Sequence, residues 1–305
     1  MKYKFSIVSL GLPALLLWLL AGCSSGDGVL PGTEPENGEA VSLSFSLCRY
    51  TADVEGGGTT RAEGAAAATR AESTVAQDMA VGKTFRVYAY SAGATDLTSP
   101  KATAVYTVVS AATETEPAKA TGELYLYRGA YDLYLLSYNM ESETPELTSG
   151  TSDITTGNGK DFMYTVLKNV WIQANNVGAN KLDIELPDPF KRMGAQVKVM
   201  VKGKDGSQPV RIYKIEKPNY ITIKGLPTSL TYGLGKTVWN GVDNPAGVYT
   251  ASYSFSGFTS TNENDYVIPW ESKAEVLLPV DGTVLLDFDV NLTVLYEAGT
   301  KTRTA

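Results

Sequence analysis

The sequence predicts an all-β protein made of two antiparallel β-sandwiches in tandem, following a short export segment. Three observations predict it. Apolar and polar residues alternate at a period of two in one short run after another, the pattern of a strand with one buried face. Gly, Pro, Asn and Asp gather between those runs, where the chain must reverse. Nowhere after the export segment do apolar residues recur at helical spacing over three turns. At 305 residues and 43% apolar, the chain can fill two cores.

Residues 1–22 read as a signal peptide. Lys2 and Lys4 supply the positive start, and an apolar stretch from Phe5 to Leu20 follows, short for a spanning helix. Leu20-Ala21-Gly22-Cys23 then resembles the bacterial lipobox, with cleavage expected between Gly22 and Cys23 and a lipid expected on the Cys23 thiol. A diacyl group holds a protein to a membrane through its buried methylenes, at about 0.8 kcal/mol each. Residues 23–40 are rich in Gly, Pro, Ser and acid and read as a lipidated tether.

The first sandwich is expected over residues 41–187. Val41–Leu47 alternates without a break, as a half-buried strand does. Residues 51–82 are rich in Gly, Ala and Thr and read as a flexible segment isolating that strand from the rest of the domain. Phe85–Tyr90 alternates, and Ala104–Val109 is β-branched. Glu123–Tyr127 and Tyr131–Tyr138 read as a hairpin turning at Arg128-Gly129-Ala130, and the polar stretch 139–160 as a loop. Phe162–Gln173 and Lys181–Leu186 add two strands. Pro187-Asp188-Pro189 marks the expected boundary.

The second sandwich is expected over 188–305. Its strands are Ala195–Val201, Val210–Ile215, Tyr220–Ile223, Tyr249–Phe255, Ala274–Leu278 and Val284–Val294, with turns at Pro218-Asn219, Asn244-Pro245 and Asp281-Gly282.

Composition excludes several functions. The chain has no histidine, which removes the commonest general base and the usual zinc ligand. Its two cysteines are Cys23 and Cys48. With Cys23 lipidated, Cys48 has no partner for a disulfide and is expected to act as a small buried hydrophobe. The net charge of −7 becomes −9 when Lys2 and Lys4 leave with the signal peptide, and basic residues form no cluster, so nucleic acid is not an expected partner. Tyr232–Lys236 and Thr156–Lys160 are faintly like phosphate loops but fit turns better. Asp281, Asp287 and Asp289 are weak cation candidates beside a simple solvated face, and Asn291-Leu292-Thr293 is a formal sequon. No catalytic residue, metal or cofactor is expected.

One feature of the segment 51–82 points to chemistry done on the chain rather than by it. Thr60-Arg61-Ala62 and Thr69-Arg70-Ala71 repeat one tripeptide, each followed by Glu. An arginine in an accessible, extended segment suits a trypsin-like protease; linker drift is the plainer alternative. A cut after Arg61 or Arg70 would separate Val41–Leu47 and the lipid from the remainder. Loss of a strand leaves unpaired N–H and C=O groups along an apolar groove, which a neighbour's strand can fill.

Taken together, these features resemble the fimbrillins of Bacteroidales, subunits of donor-strand fimbriae. The resemblance rests on the lipobox at Cys23, Val41–Leu47, the Thr-Arg-Ala segment, Phe85–Tyr90 and Phe190-Lys191-Arg192-Met193-Gly194-Ala195-Gln196-Val197. It implies tandem transthyretin-like sandwiches on an outer-membrane lipoprotein that passes into a fimbrium and mediates adhesion. The implied partners are an Arg-specific protease, the outer membrane through the lipid, other fimbrial subunits and an unidentified surface receptor. Arg61 with Ala62, or Arg70 with Ala71, is the implied cut, and the strand near Val284–Tyr296 the implied donor. The alternative is an uncleaved surface lipoprotein that anchors fimbriae or binds a glycan, for which Trp239 and Trp270 are the candidate platforms.

Overall fold

Val41, Leu43 and Phe45 point to one side of their strand, as period two requires, and all three are buried. That strand lies inside the largest sheet. The computed structural model describes residues 40–53, 74–173, 180–203, 212–236, 239–240, 249–265, 267–280, 288–290, 293–296 and 303–304. Among them there is no helix, and the chain is all-β.

The first half contributes β1 (Val41–Ser46), β2 (Arg49–Asp53), β3 (Thr74–Asp78), β4 (Thr84–Ser91), β5 (Ala102–Ser110), β6 (Lys119–Leu126), β7 (Gly129–Ser137), β8 (Asp153–Gly157), β9 (Met163–Ile172), β10 (Lys181–Glu185) and β11 (Lys191–Arg192). Eight of these form one sheet in the order β10-β1-β6-β5-β4-β7-β9-β11. Its apolar face gathers Val41, Leu43 and Phe45 with Phe85, Tyr106, Leu124, Leu133, Leu135, Met163, Ile184 and Phe190 into one cluster. Strands from across the whole order meet in that cluster, so the sheet is curled around its own core.

Three sequence expectations are corrected here. The sheet is mixed rather than wholly antiparallel, because β1 runs parallel to β10 while pairing antiparallel with β6. β6 and β7 are not a hairpin: β6 pairs with β1 and β5, whereas β7 pairs with β4 and β9. The turn at Arg128 therefore carries the chain across the curl. β7 shows why, since all nine of its residues are buried and it needs a partner strand on each edge and cover on both faces. Finally, 139–160 is not all loop, because Ile154 and Thr156 turn inward and form β8.

The second half contributes β12 (Ala195–Val197), β13 (Met200–Val201), β14 (Ile212–Ile215), β15 (Ile221–Leu226), β16 (Ser229–Gly233), β17 (Trp239–Asn240), β18 (Ala251–Phe255), β19 (Trp270–Glu271), β20 (Glu275–Leu277), β21 (Phe288–Val290), β22 (Thr293–Tyr296) and β23 (Arg303–Thr304). The expected strand Ala195–Val201 is split in two, and Val284–Val294 is represented by β21 and β22 among the described residues. A core of Ile215, Ile221, Ile223, Phe255, Phe258 and Trp270 holds this half together.

The halves meet through an aromatic cluster. Tyr88, Tyr90, Tyr134 and Leu136, on the outer face of β4 and β7, pack with Tyr232 and Leu234, and β16 pairs with β8. Past Pro187-Asp188-Pro189, the chain first returns to the curled sheet: Phe190 is fully buried in its core and β11 adds to β9.

Candidate functional site

The candidate site is the groove that β1 occupies between β10 and β6. Phe45 meets the rings of Phe85 and Tyr106 edge-on at 5.8 and 4.8 Å, and those two rings stack on each other at 5.5 Å. Tyr106 donates its hydroxyl hydrogen to the Leu43 carbonyl at 3.1 Å. The Tyr106 ring fits because Gly122 lies opposite; a Cβ there would come within 2.8 Å of the ring and 2.6 Å of the Val105 carbonyl oxygen. On the polar face, Ser44 donates to Asp183 at 2.8 Å. At the ends of the strand, the Ser42 N–H bonds the Asn180 carbonyl and the Leu186 N–H bonds the Ser46 carbonyl.

After β1 the chain turns at Leu47, which holds a left-handed φ of 56°, a conformation that costs a branched side chain about 1 kcal/mol. β2 then leaves the sheet and pairs with β3 from Arg49↔Asp78 to Asp53↔Thr74. This corrects the expectation that 51–82 is linker throughout: five residue pairs close its base, and Met79, 1% exposed, donates its N–H to the Cys48 carbonyl. β2 is also tied sideways, through Thr51 N–H to the Phe190 carbonyl and Phe190 N–H to the Arg49 carbonyl, both at 2.8 Å. The Arg192 guanidinium lies over the Tyr50 ring.

Cys48 lies at this junction, fully buried. Burial, with Asp183 and Asp78 nearby, pushes its thiol up to about 12, so it is a hydrophobe and not a nucleophile at neutral pH. Cys23, Gly22, Arg61, Ala62, Arg70 and Ala71 lie outside the described residues, as do Asp281, Asp287 and Asn291. Asp289 is exposed and paired with Lys224 at 2.5 Å. Both loops with a faint phosphate-loop look prove to be strand ends followed by turns: β8 ends at Gly157, β16 at Gly233.

Neither candidate tryptophan forms an exposed platform. Trp270 is buried and donates its indole N–H to the Ile215 carbonyl. Trp239 packs on Phe162 and Tyr232 and donates to the Met193 carbonyl. An open cleft of about 600 Å³ lies over Thr84, Arg86, Thr107 and Tyr138. Its acids carry their own cations, Glu141 with Lys83, Glu143 with Lys160 and Glu146 with Arg86, so its wall is polar without a dominant charge. Sequence reasoning missed Tyr106, Gly122, Met79 and Phe190 as parts of the β1 site. Only Phe190 carried a signal, as an apolar residue directly after Pro189.

Neither a protein-family model nor a curated protein matches the sequence. Solved structures do. A candidate cell adhesion protein of Bacteroides fragilis is 17% identical over 88% of this chain and 87% of its own, with a TM-score of 0.52. A second such protein, from Bacteroides ovatus, is 13% identical over 87% and 86%, with a TM-score of 0.41. The tip fimbrial protein Mfa3 of Porphyromonas gingivalis, truncated at its C-terminus, is 10% identical over 84% and 80%, with a TM-score of 0.35. At such identities the likeness is one of fold, and the B. fragilis protein carries it. The fold shared with that protein is the all-β one that the sequence predicts.

Proposed function

We propose that this chain is a structural subunit of surface fimbriae, exported as a lipoprotein on Cys23, cut after Arg61 or Arg70, and polymerised by strand complementation to mediate adhesion. The division into units 41–187 and 188–305 belongs to the same proposal. One observation carries it. The strand next to the Thr-Arg-Ala repeats is an interior strand, bonded on both edges and seated in an aromatic pocket. Its removal would open β6 and β10 together and expose Phe85 and Tyr106, a groove shaped for another strand. Adhesion is the role ascribed to the neighbour of shared fold, which supports a surface role over an enzymatic one.

The test is the double variant Arg61→Ala with Arg70→Ala, expressed in the cell that makes the protein. It should accumulate as full-length lipoprotein at the outer membrane and give no polymer. Normal fibres from that variant would refute processing after arginine.

A further inference from the structure

The open cleft over β4 and β5 lies on the faces of those strands opposite to the β1 groove. Thr84 pairs with Thr107 and Arg86 with Val105 beneath it, while Phe85 and Tyr106, between them, point the other way to meet Phe45. Residues 139–147 form the far wall, and that wall is tied to β4 at both ends. The Thr84 N–H and hydroxyl both donate to the Met140 carbonyl, at 2.8 and 2.9 Å, and the Leu147 N–H donates to the Tyr88 hydroxyl at 3.0 Å. Thr84 and Tyr138, each 6% exposed, make the floor. The cleft is therefore preformed, and its volume of about 600 Å³ suits a small ligand.

The chemistry of the walls selects among ligands. Glu141, Glu143 and Glu146 have side chains 71%, 46% and 70% exposed, against 27%, 34% and 19% for their partners Lys83, Lys160 and Arg86. In each pair the cation is the more buried member, so a carboxylate already matched in charge faces the solvent. Arg86 is held further by its Nε–H donating to the Thr144 hydroxyl at 3.3 Å. Carboxylates facing outward disfavour an anion, and charges already matched give little to draw a basic partner. An apolar ligand would strip water from the carboxylates and hydroxyls and return no hydrogen bond. A neutral molecule dense in hydroxyl groups fits all three conditions. Its O–H groups donate to the glutamates, its oxygens accept from Arg86 and the threonines, and Val105, 40% exposed, meets its C–H face. We propose that this cleft binds a neutral oligosaccharide and is the adhesive surface of the chain. The proposal rests on the adhesive part of the function given above and names its ligand; cleavage and polymerisation do not enter it.

The experiment titrates cellotriose, mannotriose, N-acetyllactosamine and the acidic trigalacturonate into the full chain, purified in detergent, by calorimetry. At least one of the three neutral sugars should bind at millimolar concentration, and trigalacturonate should not. Glu146→Ala should weaken that sugar by about tenfold to a hundredfold, the loss of one hydrogen bond to a charged group. Thr107→Trp, which fills the cleft from β5, should abolish binding, and circular dichroism should show both variants folded. Tyr125→Ala with Tyr127→Ala removes exposed rings at the end of β6 and should leave binding unchanged. Three results would overturn the proposal: no binding of any neutral sugar, preference for trigalacturonate, or binding that survives Thr107→Trp and is lost with the two tyrosines. Fibres made by a chain that binds no sugar would remove this proposal and leave the fimbrial reading standing. Sugar binding by a chain that makes no fibres would do the reverse.

Discussion

Asp132 shows how a charged residue is accommodated in a strand buried on both faces. Its carboxylate, 3% exposed, accepts from the Asn169 and Gly93 N–H groups at 2.9 and 3.2 Å and from Lys168 at 2.9 Å. Burial pushes its pKa up, but these donors outweigh burial and hold it below the ordinary value. The neighbouring register shift between Tyr131 and Leu133 and the left-handed Asn169 leave the Asn169 N–H without a ladder partner, the Gly93 N–H lies in the turn after β4, and the carboxylate accepts from both. Lys168 is half exposed and so adds little. Asp132→Ala should therefore destabilise by about 1–3 kcal/mol for each N–H left unpaired. A depressed pKa gives stability that is present above about pH 4 and lost as pH falls through the folded value. Denaturant midpoints should accordingly converge between wild type and variant as pH drops below about 4, and diverge at neutral pH. At the groove, Phe45→Ala should cost about 3–5 kcal/mol, because it empties a buried site against the Phe85 and Tyr106 rings; thermal unfolding measures it.

At the scale of elements, a chain beginning at Ala71 should fold poorly alone, since β6 becomes an edge beside an apolar floor and β10, whose described pairing is with β1, is left without it. Adding a peptide of residues 40–53 should restore a monodisperse species by analytical ultracentrifugation; continued aggregation with the peptide would mean β1 is not a separable element. Some elements were legible in the sequence and others were not, for physical reasons. β1 and β4 declare themselves because period-two alternation is a local signal, in Val41–Leu47 as in Phe85–Tyr90, and β7 through its run of large apolar and aromatic residues between turn signals. The partners of β6 and β7 did not, because two apolar strands with a short turn suit a hairpin and a cross-core arch equally, and only distant strands decide. β2 and β3 are polar, with Val75 and Gln77 facing solvent, and are far apart in sequence, so neither carries a core pattern. β8 offers only Ile154 and Thr156 to the core.

For the whole molecule, the division of surfaces is what matters. The second half covers the outer face of β4 and β7 through Tyr232 and Leu234, while Ser42, Ser44, Lys181 and Asp183 on β1 and β10 are not buried. β1 therefore lies on the side of the sheet away from that cover, where exchange would leave the joint between halves untouched. Of the candidate site, the strand and the arginine repeats could be read from sequence. The pocket could not, because Tyr106, Gly122 and Phe190 reach it from strands distant in sequence.

The central claim is that the interior strand β1 is removed after an arginine before the chain enters a fibre. The direct test is the N-terminus of this protein, determined by mass spectrometry in sheared surface fibres and in outer membranes. A start at Ala62 or Ala71 in the fibres is the predicted result. Fibres built from chains that still begin at lipidated Cys23 would contradict it and leave β1 as a permanent part of the fold.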